Sequence, residues 1–440
     1  MFKDADTASQ YSLPAAAPCP ETRNMAASCI QCRACAAHCA FLTAQGTPGQ
    51  LAAAYEKSPG KTVQLAFACS LCGLCSTTCP KALNPSAMFL QWRRQAVASG
   101  QANLSAYNGI LAYEKKGCSK LFSFYTLPAG CTAVFFPGCT LAGTRPTHTF
   151  KAFEYLKARL PDTGMVLDCC TKPSHDLGRQ DFFKAMFSEM TGFLLENGVT
   201  TVITACPSCH KVFTGNSPFT VTSIYEIMAD DPLLPSLVHH SLGGECPGTP
   251  GSPGLSGSPG AHEIVIQDPC QARDDKKSRD AVRAIALHAG LDIKPSPFSG
   301  RKTLCCGEGG FTGCTDPGLA AGWAEKRTGA AGGRQAMTYC AGCVNFLPRE
   351  SRSFHVLDLV FDRENTLTGN TRVAGAPFTY VNRLKLKMKL KKQEAAVTRE
   401  RHYTPGSTGR RRLPAGRFIL LLLLIAAMAG ISGLVDGWPR

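Results

Sequence analysis

The sequence predicts an α+β multidomain chain: a helical domain built round two metal clusters, two α/β cysteine-rich repeats and one C-terminal transmembrane helix. Three observations predict it. Two cysteine runs of identical spacing lie within residues 20–100. Short apolar runs that end in cysteines recur twice between 131 and 362. An uncharged apolar stretch, 418–435, lies near the C-terminus.

The chain has 440 residues, room for about three domains at ~150 residues each. It carries 23 cysteines. A disulfide-rich secreted protein is shorter and begins with a signal peptide. The N-terminus "MFKDADTASQYSLP" has no apolar h-region and no twin arginine. The cysteines therefore read as reduced metal ligands in a cytoplasmic compartment, and their fixed spacings argue against scattered free thiols. Of the net charge of +15, residues 371–417 supply +11, with 13 Lys/Arg against 2 Asp/Glu. The basic character belongs to one segment, so no nucleic-acid partner is expected.

The first domain, 20–100, is set by Cys29-x2-Cys32-x2-Cys35-x3-Cys39 and Cys69-x2-Cys72-x2-Cys75-x3-Cys79-Pro80. This is the bacterial ferredoxin run written twice. Three thiolates at two-residue gaps wrap one corner of a cubane, and the chain carries the fourth to the other cluster. Cys29, Cys32, Cys35 and Cys79 should hold one [4Fe–4S] cubane; Cys69, Cys72, Cys75 and Cys39 the second. Zinc has no use for the doubled spacing. Ala40 stands where a proline usually follows the fourth cysteine, which alters the turn and not the ligands. "LTAQGTPGQLAAAYEKSPGKT" reads as a polar connection between the runs. Its "SPGKT" is no phosphate loop, because Tyr55 stands where the first glycine is required. "NPSAMFLQWRRQAVASG" reads as a helix with Asn84 as N-cap, Pro85 at its first position and Gly100 just past its end.

From 131 the texture changes to α/β. "TAVFFPGC" reads as a strand, "PTHTFKAFEYLKARL" as a helix, "GMVLDCC" as a strand, "DFFKAMFSEMTGFLLENG" as a helix and "VTTVITACPSC" as a strand. After a Pro/Gly/Ser linker at 243–261 the pattern returns: "HEIVIQDPC", a helix round "KSRDAVRAIALHAG", "KTLCCGEGG", a helix round "LAAGWAEKRTG", and "QAMTYCAGC". Cys139 aligns with Cys270, Cys169 and Cys170 with Cys305 and Cys306, and Cys206 and Cys209 with Cys340 and Cys343. An internal duplication, 131–242 and 262–362, explains this. Each predicted strand runs into a cysteine at its C-terminal end, where open parallel sheets build their sites.

Each repeat thus offers five cysteines. A single tetrahedral metal cannot use five and a cubane takes four, so the set points to a larger, less symmetric iron–sulfur cluster. With its C…CCG…CxxC pattern the chain resembles the cysteine-rich domains of the heterodisulfide reductase catalytic subunit, over about 29–350. The resemblance includes the double-cluster domain fused ahead of two such repeats. It implies a noncubane [4Fe–4S] cluster in each repeat, so one or two in all. It also implies that a disulfide is cleaved between them in two one-electron steps, with the ten repeat cysteines as catalytic and metal-binding residues. Gly307, with Gly309 and Gly310, would let backbone N–H groups approach the sulfides. Thr171 stands where the first repeat should have that glycine, which puts the geometry of the first cluster in question. The spacing in "GEGGFTG" is wrong for a dinucleotide loop. The same repeats occur in iron–sulfur subunits of glycolate, lactate and glycerol-3-phosphate dehydrogenases, which pass electrons from a flavin subunit towards quinone and often lack some of the ten cysteines. All ten are present here, which favours the reductase type.

His175 and His210 lie close to cluster cysteines and could donate protons to a departing thiolate, but an ordinary polar residue at a strand end is the favoured reading for each. Cys19, Cys118, Cys131, Cys246 and Cys314 fit no motif. Phe418–Val435 spans about 27 Å at ~1.5 Å per residue, close to a bilayer core. Arg410, Arg411, Arg412 and Arg417 precede it, which places the bulk of the chain on the cytoplasmic side of a single-pass anchor in the cytoplasmic membrane. "RLKLKMKLKK" in the basic juxtamembrane segment 371–417 reads as a strand-like or irregular stretch on anionic headgroups, or as a solvated linker. The expected activity is disulfide reduction. The expected partners are a membrane cytochrome b-like or other redox subunit, or a flavoprotein dehydrogenase, together with the membrane and a disulfide or thiol substrate. An electron-transfer subunit without its own chemistry and a zinc scaffold are the alternatives.

Overall fold

The computed structural model describes residues 17–239 and 262–402. Its first part is helical, and prolines at helix starts shape it. Helices Pro20–Ser28, Pro48–Lys57, Pro59–Leu65 and Pro85–Ala98 all begin on proline, where no N–H is needed. Asn84 caps the last of these by accepting from the Ala87 N–H at 3.1 Å, and Gly100 is left-handed just beyond its end, as the sequence predicts. The connection between the cysteine runs is not a polar loop. Thr47 and Gln50 form a capping box, and Leu51, Ala52 and Tyr55 bury one face of the helix they start. Tyr55 stacks on Trp92, whose indole N–H donates to Thr22 Oγ1 at 2.8 Å.

The rest is two α/β units. The first sheet contains β1 (Phe124–Leu127), β2 (Ala133–Phe136), β3 (Thr163–Leu167), β4 (Thr201–Thr204), β5 (Thr220–Ser223) and β10 (Val397–Arg399), in the order β10-β1-β3-β2-β4-β5. The second contains β6 (His262–Ile266), β7 (Leu291–Lys294), β8 (Gln335–Thr338) and β9 (Phe354–His355), in the order β7-β6-β8-β9. Strands β3-β2-β4-β5 and β7-β6-β8-β9 are parallel throughout and follow one topology. The internal duplication is therefore a duplication of fold. Capping boxes recur at matching places, Ser223 with Glu226 after β5 and His355 with Asp358 after β9.

"KTLCC" is not a strand. β7 ends at Lys294, and a loop with a short 3₁₀ turn at Gly300–Lys302 carries the chain to Cys305. The missing strand signal moved upstream to "LDIK", which pairs with β6.

The described part of the basic segment, 371–402, belongs to the first repeat. Phe378–Leu390 is a helix whose buried positions are Arg383, Leu386, Lys387 and Leu390, the spacing of one helical face. The alternation of basic and apolar residues hides that face. Lys387 reaches Glu400 at 3.0 Å, and β10 pairs antiparallel with β1. A segment that covers a sheet edge and fills a core is neither a headgroup-bound stretch nor a solvated linker.

The protein is thus mixed α/β and multidomain, and the expected architecture is corrected on one point. No helix among the described residues is long and apolar enough to cross a membrane. The transmembrane helix and the single-pass anchor inferred from it find no support, and the stretch 418–435 lies outside the described residues.

Candidate metal centres and the cavity between the repeats

The two cysteine runs turn the chain with the same backbone. Gln31 and Leu71, each two residues past the first cysteine, have φ of 55° and 51°; Arg33 and Gly73, two further on, have 61° and 73°. Left-handed residues at alternate positions curl a loop so that its N–H groups face inward. The Leu71 N–H accordingly points at Cys69 Sγ, 3.4 Å away. The thiols sort into two groups. Cys29, Cys32, Cys35 and Cys79 line one small cavity beside Met25, Ile30 and Leu83, which Cys75 also borders. Cys39, Cys69, Cys72 and Cys75 line another, walled by Phe41, Phe89 and Trp323. The grouping follows the crossed arrangement in which Cys39 and Cys79 exchange runs. Burial pushes Cys35 up to about 11, helped by Cys29, Cys32 and Cys79; burial likewise pushes Cys39 up to about 11 and Cys69 up to about 12. Such thiols are protonated at neutral pH until a cation displaces the proton. The second cavity offers four thiols, and the first offers four besides Cys75, which lines both and belongs to the second run; such donor sets fit a cubane.

The repeats place their five thiols at matching points. Cys139 starts helix Cys139–Thr144 after β2, and Cys270 starts the 3₁₀ turn Cys270–Ala272 after β6. Cys206 and Cys340 sit at the N-caps of helices Pro207–Asn216 and Ala341–Phe346, one turn before Cys209 and Cys343. Cys169 and Cys170 follow β3 after one residue, Asp168. Cys209 and Cys170 have their sulfurs 3.4 Å apart. Hydrogen bonding from Cys209 holds Cys206 down at about 6, and hydrogen bonding from Cys305 holds Cys306 down at about 6.

Nine of the ten thiols, all but Cys305, line a single cavity of about 120 Å³ between the repeats. Its charged groups are Lys172, Asp176 and Glu308. Lys172 pairs with Asp176 at 2.5 Å. Burial, then Cys206, pushes the Glu308 carboxyl up to about 7, against the pull of Lys172. Lys172 and Glu308 hold the same place in the duplication, two residues after each cysteine pair. Their opposite charges were readable from "CCTK" beside "CCGE". His175 and His210 do not line the cavity: His175 Nδ1 bonds Asp176 at 2.8 Å, and His210 Nδ1 bonds Thr204 at 3.0 Å.

The glycines after the second pair divide the work. The Gly307 N–H donates to Cys305 Sγ at 3.3 Å, and its φ of 104° leaves no room for a Cβ, which would lie 2.4 Å from Ala320 O. A Cβ at Gly309 or Gly310 would strike the backbone of Ser70 or Cys69, so these two let the ferredoxin-like loop dock on the second repeat. At Thr171 the backbone is left-handed as well, φ 53°, and the buried hydroxyl has no partner.

Three arginines tie the parts together. Arg93, fully buried, donates to the carbonyls of Ala66, Cys69, Asp176 and Gly310, spanning all three domains. Arg273 of the second repeat donates to Cys72 O at 3.0 Å, placing the second cubane loop against the second five-thiol site. Arg145 bonds Asp358 at 2.7 Å across the repeats.

Of the cysteines outside the motifs, Cys118 is buried and touches Cys169. Cys19 bonds Thr22, Cys131 bonds Ala133 O, Cys314 is exposed, and Cys246 lies outside the described residues.

Comparison with known families agrees with this partition. The family model of a 4Fe-4S dicluster domain matches residues 28–84, and that of a cysteine-rich domain matches twice, at 133–214 and 264–348. No curated protein matches the chain. The chain carries iron–sulfur electron-transfer domains, with [4Fe–4S] clusters that include the noncubane type.

Proposed function

We propose that this chain, which belongs among the iron–sulfur proteins joining a dicluster domain to two cysteine-rich domains as heterodisulfide reductase catalytic subunits and glycolate oxidase iron–sulfur subunits do, reduces a disulfide or related sulfur substrate. The observation that carries the reading is the shared cavity: nine repeat thiols face one space. A wire alone has no need to point two multi-thiol sites at a common void.

Cys29, Cys32, Cys35 and Cys79, and Cys39, Cys69, Cys72 and Cys75, would hold the two cubanes; the five thiols of each repeat would hold the noncubane centres. When bound, the clusters supply one-electron transfers. Cys32 and Ile30 are exposed at the rim of the first cubane site, where a separate redox subunit or a flavoprotein dehydrogenase would deliver electrons. The Cys72 loop adjoins Cys270 through Arg273, so the second repeat is reached first. In the cavity, Lys172 Nζ and the Glu308 carboxyl are placed to hold a sulfur substrate and to protonate the departing thiolates. Ile110, Tyr113 and Phe311 complete the wall and limit water. Glu308→Gln and Lys172→Met should each lower turnover about 10²-fold or more while leaving cluster spectra unchanged.

The alternative, an electron-transfer subunit of a flavin dehydrogenase, is favoured by one feature, the strained Thr171 at the first site. Anaerobic iron analysis and EPR separate the two. The reductase reading expects well above the eight irons of two cubanes. It also expects a signal that grows when substrate thiol is added under partial oxidation. Cubane signals alone, unmoved by thiol, would defeat it.

A further inference from the structure

Arg383 lies on helix Phe378–Leu390, outside the residues matched by the cysteine-rich family model. It is 2% exposed. Its Nη2 donates to Gly117 O at a long 3.4 Å, its Nη1 has no hydrogen-bond partner, and no carboxylate among the described residues pairs with it. Its guanidinium lies over the rings of Phe122 and Tyr113, 5.1 and 5.8 Å from their centroids. A buried cation with an idle donor and no counter-charge is costly. What it faces explains it. A Cβ built on Gly117 would touch both groups, 3.6 Å from Nη1 and Nη2 and 3.1 Å from Cys169 Cβ. The Arg383 charge also pulls on Cys139 and on Tyr113, which borders that thiol. The helix itself packs on Cys139's own helix, with Asn382 Nδ2 donating to Gly143 O at 2.9 Å.

We propose that Arg383 is the resident cation of the first five-thiol site, its Nη1 donating to sulfur of the anionic centre held by Cys139, Cys169, Cys170, Cys206 and Cys209. Hydrogen bonds to cluster sulfur and nearby positive charge favour the reduced, more negative state, so Arg383 raises that centre's reduction potential. Positive charge alone does not separate the sites, since Arg273 and Lys211 pull on Cys270 of the second; what the second lacks is a guanidinium with an idle N–H. Its nearest counterpart, Arg273, spends all three nitrogens on the carbonyls of Cys72, Arg301 and Thr303. The duplicated sites are therefore inequivalent: electrons that arrive at the second site through the Cys72 loop find the lower-lying state at the first.

The test is an EPR-monitored redox titration of the anaerobically purified full chain, read with iron content. The signal lost in Cys169→Ser identifies the first site. Arg383→Met should shift that signal's midpoint to lower potential and leave the others in place; Arg383→Lys should recover most of the shift. An unchanged midpoint in Arg383→Met at full iron content overturns the proposal. If Arg383→Met loses iron, Arg383→Lys decides: recovery of iron and midpoint supports the charge. Equal iron loss in Arg383→Lys and in Leu390→Ala, which keeps Arg383, reduces the helix to packing and overturns it.

Discussion

Thr171 and Gly307 occupy the same left-handed position after a cysteine pair, and their surroundings differ. A β-branched residue there costs roughly 1–2 kcal/mol, and an unpaired buried hydroxyl roughly 1–3 more. Thr171 carries both burdens. Glycine removes them at an entropic loss of about 0.5–1 kcal/mol. Thr171→Gly should therefore stabilise the protein by about 1 kcal/mol in denaturant titration. Gly307→Ala should do the reverse, because its Cβ would press on Ala320 O and on the Phe346 ring. The expected result is loss of the second site's iron with the cubanes retained. If both exchanges prove neutral, the left-handed turn is not what shapes these sites.

Helix Phe378–Leu390 shows why one element was misread while its neighbours were legible. The cysteine runs, the helix capped by Asn84 and the strands before Cys139, Cys169 and Cys206 announce themselves locally, through spacing, caps and apolar runs. The sequence "RLKLKMKLKK" has period two on its face, so it reads as a strand or a linker. Its helical face includes two cations, and only tertiary partners make them buriable: Glu400 and the carbonyl of Lys120 for Lys387, aromatic rings for Arg383. Glu400 lies a short way downstream, but the other partners lie far away in sequence. β10, β5 and the two-residue β9 were missed for a like reason, since so short a strand exists only by its pairing. Of the cavity, the thiols were legible and the charges overlooked, although the aligned pairs set Lys172 against Glu308. Leu390 is fully buried on the same helix. Leu390→Ala should cost about 2–5 kcal/mol in anaerobic denaturant unfolding, and leave the first-site midpoint where it was.

At the scale of the whole molecule, the shared cavity requires two repeats held at a fixed distance; they share one hydrophobic core, and the buried Arg145–Asp358 pair ties them across it. Both side chains are at most 1% exposed, and His148 adds a third contact to the same carboxylate at 3.0 Å. His148 and Arg145 hold the Asp358 carboxyl well below its ordinary value of 3.8, against the opposing effect of burial. Beside it, burial and Arg145 hold His355 down at about 3, so that ring stays neutral and accepts the Leu357 N–H. A carboxylate whose folded value is depressed contributes stability that is complete above the unfolded value and fades as pH falls through the folded one. Asp358 should therefore contribute in full from about pH 5 upward. Asp358→Asn keeps the shape and strands a guanidinium that nothing neutralises, which costs about 3–5 kcal/mol. The measurement is guanidinium chloride unfolding of the anaerobic protein at pH 5.5 and 7.5, where the loss should be the same. Because the pair joins the repeats and touches no thiol, the variant should keep its iron while its thiol-dependent EPR signal weakens. A variant as stable as the parent, or one whose signal responds to thiol undiminished, would mean that the repeats keep their spacing without this pair, through the hydrophobic core they share and contacts such as Ser278 with Glu226.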